Sequence, residues 1–99
     1  MLKLLDTFDC FEWDKGNSDK NLLKHNVSNK ECEEAFFDGN KKIYKDPLHS
    51  GTENRFILMG ATIDKRPLFV VFTARKNSIR IISARDVNKK EIHLYEKKS

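Results

Sequence analysis

Two arginines set among strand-forming residues, Arg80 and Arg85 in Ser78-Ile-Arg-Ile-Ile-Ser-Ala-Arg-Asp86, are the side chains of this chain best suited to act on an anion. A guanidinium is planar and permanently charged, and it can donate two parallel hydrogen bonds to a phosphate. Between Arg75 and Lys90 stand six Lys/Arg (Arg75, Lys76, Arg80, Arg85, Lys89, Lys90) against one acid, Asp86. Such a cluster favours phosphates, and RNA is the first polyanion to consider. Metal-free cleavage of RNA needs a ribose 2′-hydroxyl brought in line with its phosphate, a group to take its proton, a cation for the phosphorane charge and a proton for the leaving 5′-oxygen. Arg80 and Arg85 suit the charge, and His25 suits the proton, because imidazole titrates near neutrality. Were the chain to cleave RNA in this way, His25, Arg80 and Arg85 would be the candidates for these tasks. Lys24, Arg55, Arg75 and Lys89 add positive charge, and Tyr44 offers a ring on which a base could stack. Strict strand alternation puts positions 80 and 85 on opposite faces, so joint action requires a bulge or a strand that ends before Arg85.

Other chemistries find less support. The acids Glu31, Glu33 and Glu34 lie on one short helical stretch without the spacing of a metal-ligand set, and three scattered histidines, His25, His49 and His93, define no metal site. Neither a metal nor another cofactor is expected. Cys10 and Cys32 form no CxxC pair, and reduced thiols are the expectation. No glycine-rich phosphate loop is present, and Ser50 and Ser83 lack the surroundings of a nucleophile elbow. Acids interrupt the N-terminal Met1-Leu-Lys-Leu-Leu at Asp6, Asp9 and Glu12, and the longest apolar run is the five residues Leu68–Phe72. A secretory signal and a membrane span are therefore not expected, and the cytoplasm is the expected compartment.

The elements that must position these groups follow from pattern. With 99 residues, 38% hydrophobic content and a formal charge of +4, one core and a single domain over 1–99 are expected. Phe8–Trp13 reads as a short first strand and Lys15–His25 as a helix closed by Asn26, a residue that tolerates the left-handed region. Ser28 with Glu31 forms a capping box for a helix over Asn29–Phe37 that Gly39 stops. Lys42–Lys45, Glu53–Ile63, Pro67–Ala74 and Ile79–Ala84 read as strands, the last three linked by short turns into an antiparallel meander. Asn88 with Glu91 caps a final helix running to Lys98, whose apolar residues Ile92, Leu94 and Tyr95 are too few for more than light packing. The fold class predicted is α+β: a mainly antiparallel sheet of three to four strands with two N-terminal helices and one C-terminal helix. Trp13 and the phenylalanines Phe36, Phe37, Phe56, Phe69 and Phe72 are expected in the core rather than at a ligand.

Several segments, taken in order, resemble the BrnT family of ribonuclease toxins of type II toxin-antitoxin systems. They are Phe11-Glu-Trp-Asp14, Asn21 with Lys24-His-Asn-Val27, Glu34-Ala-Phe-Phe-Asp38, Glu53-Asn-Arg55, Arg80-Ile-Ile-Ser-Ala-Arg85, and later Glu91 and Tyr95-Glu96. The chain departs from the family pattern at Asn26, where Gly is common, and at Asn54, which separates Glu53 from Arg55. The resemblance implies a small RelE-like fold and an endoribonuclease that inhibits growth. It also implies a BrnA-like antitoxin whose DNA-binding part helps the complex repress its operon, so that DNA is met only indirectly. A different class of function is a nonenzymatic RNA- or antitoxin-binding module that uses the same basic edge.

Overall fold

The computed structural model describes residues 10–13, 25–46, 54–75 and 78–96. Five strands form one sheet in the order β1-β5-β4-β3-β2, where β1 is Cys10–Glu12, β2 Lys42–Lys45, β3 Arg55–Ala61, β4 Pro67–Arg75 and β5 Ser78–Asp86. Two helices complete the described structure, α1 over Asn29–Phe36 and the short α2 over Ile92–Glu96. The helix expected over Lys15–His25 falls almost wholly on residues outside those described. Asn26, expected to close it, has φ 55°, the left-handed value its side chain tolerates.

Strand β2 with β3, β3 with β4 and β4 with β5 pair antiparallel, as the meander requires, whereas β1 pairs parallel with β5. The class is therefore α+β, but the sheet is mixed and has five strands, which corrects the expected three to four. The parallel edge arises because almost the whole fold lies between β1 and β5. No hairpin constrains their directions, and pattern within either strand carries no information about that pairing.

Alternation along the strands sorts the side chains into two faces. One carries Phe56, Leu58, Leu68, Val70, Phe72, Ile79, Ile81 and Ala84 and meets Val27, Cys32, Ala35 and Phe36 beneath α1 to form the core. Phe36 bridges Phe72 and Phe11 by edge contacts at 5.0 and 5.2 Å between ring centroids. Burial pushes the Cys32 thiol up to about 12, which leaves it an inert core group. The expected capping box is present, with Glu31 N donating to Ser28 Oγ and Ser28 N to Glu31 Oε1. Among the described residues no helix is long and apolar enough to cross a membrane.

Among the described residues the second face is covered only in part. Met59 and Phe69 pair side by side on it, and α2 is held by hydrogen bonds from Tyr44 Oη to the Leu94 carbonyl (3.3 Å) and from Tyr95 Oη to Asp38 Oδ2 (2.6 Å). Further along this face stand Arg55, Thr73, Arg80 and Glu12.

Candidate active site

A bulge decides which arginines share a face. Val71 pairs with Ser83 and Phe72 with Ile81, so Ile82 is an extra residue in β5, and the alternation restarts beyond it. Arg80 opposes Thr73 and Arg85 opposes Phe69, both odd positions of β4 on the second face. Sequence reasoning required such a bulge for the two arginines to face one ligand. They stand four β4 residues apart, about 13 Å at the strand rise.

Their surroundings differ. The Arg85 guanidinium lies 4.0 Å over the Phe69 ring and donates through Nη1 and Nη2 to the two carboxylate oxygens of Glu91, each at 2.8 Å. This fork ties the start of α2 to the sheet, and Asn88 reinforces it by a reciprocal box with Glu91 (2.9 and 3.0 Å). The Arg85 hydrogen bond holds the Glu91 carboxyl below its ordinary range, and the same bond raises the guanidinium's own pKa. Asp38 is pushed up by burial, but hydrogen bonds from Tyr95, Ala61 N and Asn40 N outweigh this and leave it depressed.

A depressed folded-state carboxyl contributes stability above its ordinary pKa, and the contribution is lost as pH falls through the folded value. Protonation of Glu91 and Asp38 is therefore expected to release α2 before the core yields. Hydrogen-exchange protection at residues 92–96 should fall below roughly pH 4, while Leu58 and Val70 amides stay protected. Simultaneous loss at both places would show that α2 is not held by these carboxylates.

Arg80 lies in a different row. Arg55 opposes Thr73, Thr73 opposes Arg80, and Arg80 is the parallel partner of Glu12. A cation, a hydroxyl, a cation and a carboxylate thus stand side by side across four adjacent strands, spanning about 14 Å at the usual strand separation. The Glu12 carboxylate accepts a hydrogen bond from Ser78 Oγ. Thr73 is only 1% exposed, and its Oγ1 has no hydrogen-bond partner among the described residues.

The remaining expected residues are dispersed. Tyr44 is on the second face with its hydroxyl turned to α2, and Lys89 is exposed on the turn between β5 and α2. Arg75 ends β4 opposite Ser78, though its side chain, like all of Lys24 and His49, falls outside what is described. His25 is not brought to Arg80. Its carbonyl accepts from Arg66 Nη2 at 3.1 Å, and Arg66 also binds Asp86 (2.6 and 3.0 Å) and Glu31 (3.1 Å) on the side of the sheet that carries α1. Asp86 opposes Leu68 and Arg80 opposes Thr73, so roughly 17 Å of strand separates that end from Arg80.

Sequence reasoning passed over Glu12 and Thr73 as site residues. A signal for Glu12 existed, since Phe11 and Trp13 both pack against the core and the residue between them must point away. What it points towards depends on the parallel pairing with β5.

A groove of about 590 Å³ lies away from this row, where Phe37, Ile63, Pro67 and Tyr95 line the space between the end of α1 and α2. Among the described residues, no three His, Cys, Asp or Glu side chains converge as a metal-ligand group would.

Set against models of known protein families, residues 13–91 match the one described as ribonuclease toxin, BrnT, of type II toxin-antitoxin system. A search of curated proteins finds no match.

Proposed function

The chain belongs to the BrnT family of ribonuclease toxins of type II toxin-antitoxin systems, and from that premise we propose that it cuts RNA by attack of a ribose 2′-hydroxyl, without a metal ion, on the sheet face that carries Arg80. The observation that carries this reading is the bulge at Ile82, which turns Arg80 and Arg85 to the same side of the sheet, where Arg55 also stands. The five-stranded sheet with helices on both faces is consistent with a RelE-like fold.

Arg80 takes the scissile phosphate, and its fork stabilises charge as the phosphorane forms. Arg55 lies one strand beyond Thr73 and adds a second guanidinium to the same row. Arg85, already shared with Glu91, keeps α2 in place and adds positive potential to the same face. Lys89 adds an exposed positive charge on the turn before α2, and Tyr44 remains a base-stacking candidate on the same face as Arg80, while the expected contacts of Lys24 and of the Arg75 side chain fall outside what is described.

The antitoxin is proposed to be BrnA-like and to cover this basic face with an acidic or amphipathic segment, its DNA-binding part carrying the complex to the operator. RNA and such a partner would both be met in the cytoplasm.

The test is antitoxin-free protein incubated with defined RNA in excess EDTA, on naked RNA and on translating ribosomes, followed by mapping of fragment ends. The expected products are an upstream 2′,3′-cyclic phosphate or 3′-phosphate and a downstream 5′-hydroxyl. Cleavage that requires added Mg²⁺ and leaves 3′-hydroxyl ends would reject the mechanism. In the same assay His25→Ala is expected to keep the rate within about threefold, because His25 stands on the other side of the sheet from Arg80. A loss of about a hundredfold with the fold intact, the scale of general acid-base catalysis, would return the proton to His25.

A further inference from the structure

We propose that Glu12 is the general base of the cleavage and that the row Arg55–Thr73–Arg80–Glu12 is the subsite for the scissile phosphodiester. This deepens the reading of Arg80 given above and rests on it. Three observations converge on the row. Register puts the four side chains in line across β3, β4, β5 and β1 on one face, with Glu12 directly beside Arg80. The Ser78 hydroxyl donates to the Glu12 carboxylate, which fixes that carboxylate on the sheet rather than leaving it to swing in solvent. Between the two arginines lies the Thr73 hydroxyl, 1% exposed and without a partner among the described residues. A buried hydroxyl with unspent hydrogen-bonding capacity costs free energy, so Thr73 marks an unsatisfied polar group beneath the centre of the row.

The chemistry balances with these groups and water. The Glu12 carboxylate takes the 2′-hydroxyl proton as O2′ bonds to phosphorus. The P–O5′ bond breaks, and O5′ gains a proton from water to become a 5′-hydroxyl, leaving a 2′,3′-cyclic phosphate upstream. Glu12 then returns its proton to solvent. Arg80, and Arg55 from the other side of Thr73, face the non-bridging oxygens as charge accumulates on them. A neighbouring strand lies about 4.8 Å away, roughly the separation that a 2′-hydroxyl and the non-bridging oxygens of its 3′-phosphate can bridge.

The test uses the full chain and an RNA that the wild type cuts. Glu12→Gln keeps the size and an acceptor for Ser78 but cannot take the proton. Its single-turnover rate constant is expected to fall at least about a hundredfold. Affinity for the same RNA carrying a 2′-deoxy substitution at the cut site should change less than about threefold, since the phosphate contacts remain. If Glu12→Gln fails to fold, Glu12→Asp replaces it, with an expected loss of about tenfold from the shorter reach of its carboxylate.

A second substrate, with sulfur replacing the bridging O5′, separates base from acid, because the thiolate leaves without protonation. The Glu12→Gln defect should persist undiminished on it, and rescue to near the wild-type rate would make Glu12 the acid and overturn the proposal. Cleavage by Glu12→Gln within threefold of wild type would also overturn it, while leaving the Arg80 reading intact. If the wild type itself leaves neither a 2′,3′-cyclic phosphate nor a 3′-phosphate, the underlying reading fails instead.

Discussion

Arg80→Ala is expected to lower the rate constant for RNA cleavage by roughly a hundred- to a thousandfold, the cost of removing one pre-positioned donor to a developing oxyanion. The expectation depends on place as much as on charge. Arg80 lies mid-row on the second face, paired with Thr73 on one neighbouring strand and with Glu12 on the other. Loss of one phosphate contact should weaken RNA binding modestly and reduce the slope of log affinity against log salt by about one. Stability should change by less than about 1 kcal/mol, since Arg80 is only half-buried.

Arg85→Ala is the informative contrast. It removes the fork to Glu91 and the stacking on Phe69, so its activity loss should be accompanied by lost protection in α2. Chemical denaturation, anisotropy with uncleavable RNA and single-turnover cleavage, run on both variants, separate the two behaviours. Arg80→Ala that cuts within tenfold of wild type would remove the reason for locating the reaction on this row.

The local grammar of the fold was legible wherever the physics is local. The Ser28–Glu31 box announces α1, and Asn88 with Glu91 announces the turn into α2, since each device satisfies orphan N–H groups within one helical turn. Lys42–Lys45 and the three strands after it follow from residue type and turn spacing. The expected final helix shrinks from Asn88–Lys98 to Ile92–Glu96 among the described residues, because it buries no side chain fully and little packing extends it.

The site was harder to read because its geometry is non-local. Alternation alone sends Arg80 and Arg85 to opposite faces, and only the extra residue at Ile82 reverses this. Nothing in Arg80-Ile-Ile-Ser-Ala-Arg85 marks which residue bulges; the offset shows only in the pairing with β4. Glu12 acquires its neighbour through a parallel pairing across nearly the whole chain. His25 looked suitable by chemistry, yet Arg66, from the turn between β3 and β4, fixes its backbone on the side that carries α1. Residue type thus identified the anion chemistry, and long-range register decided which residues share it.

Gly60→Ala is expected to destabilise the protein by about 3 kcal/mol or more while leaving every residue of the proposed site unchanged. Gly60 is buried in β3 on the core face, where α1 crosses the sheet, and a Cβ there would overlap the Ala35 carbonyl oxygen and lie 3.1 Å from the Ala35 carbonyl carbon. Both obstacles are backbone, so no side-chain rotamer can relieve them. The helix must lift, and lifting it withdraws Cys32, Ala35 and Phe36 from Leu58, Val70 and Phe72. The requirement is for closeness rather than for an unusual backbone angle, since no glycine in the described residues has positive φ.

The prediction therefore runs opposite to that for Arg80. Equilibrium unfolding should show the large loss for Gly60→Ala, whereas the fraction that remains folded should cut RNA at close to the wild-type rate. Unchanged stability would mean that α1 does not rest on β3 as described. A folded Gly60→Ala protein that had lost cleavage would mean that the seat of α1 reaches through the sheet to the row on its other side.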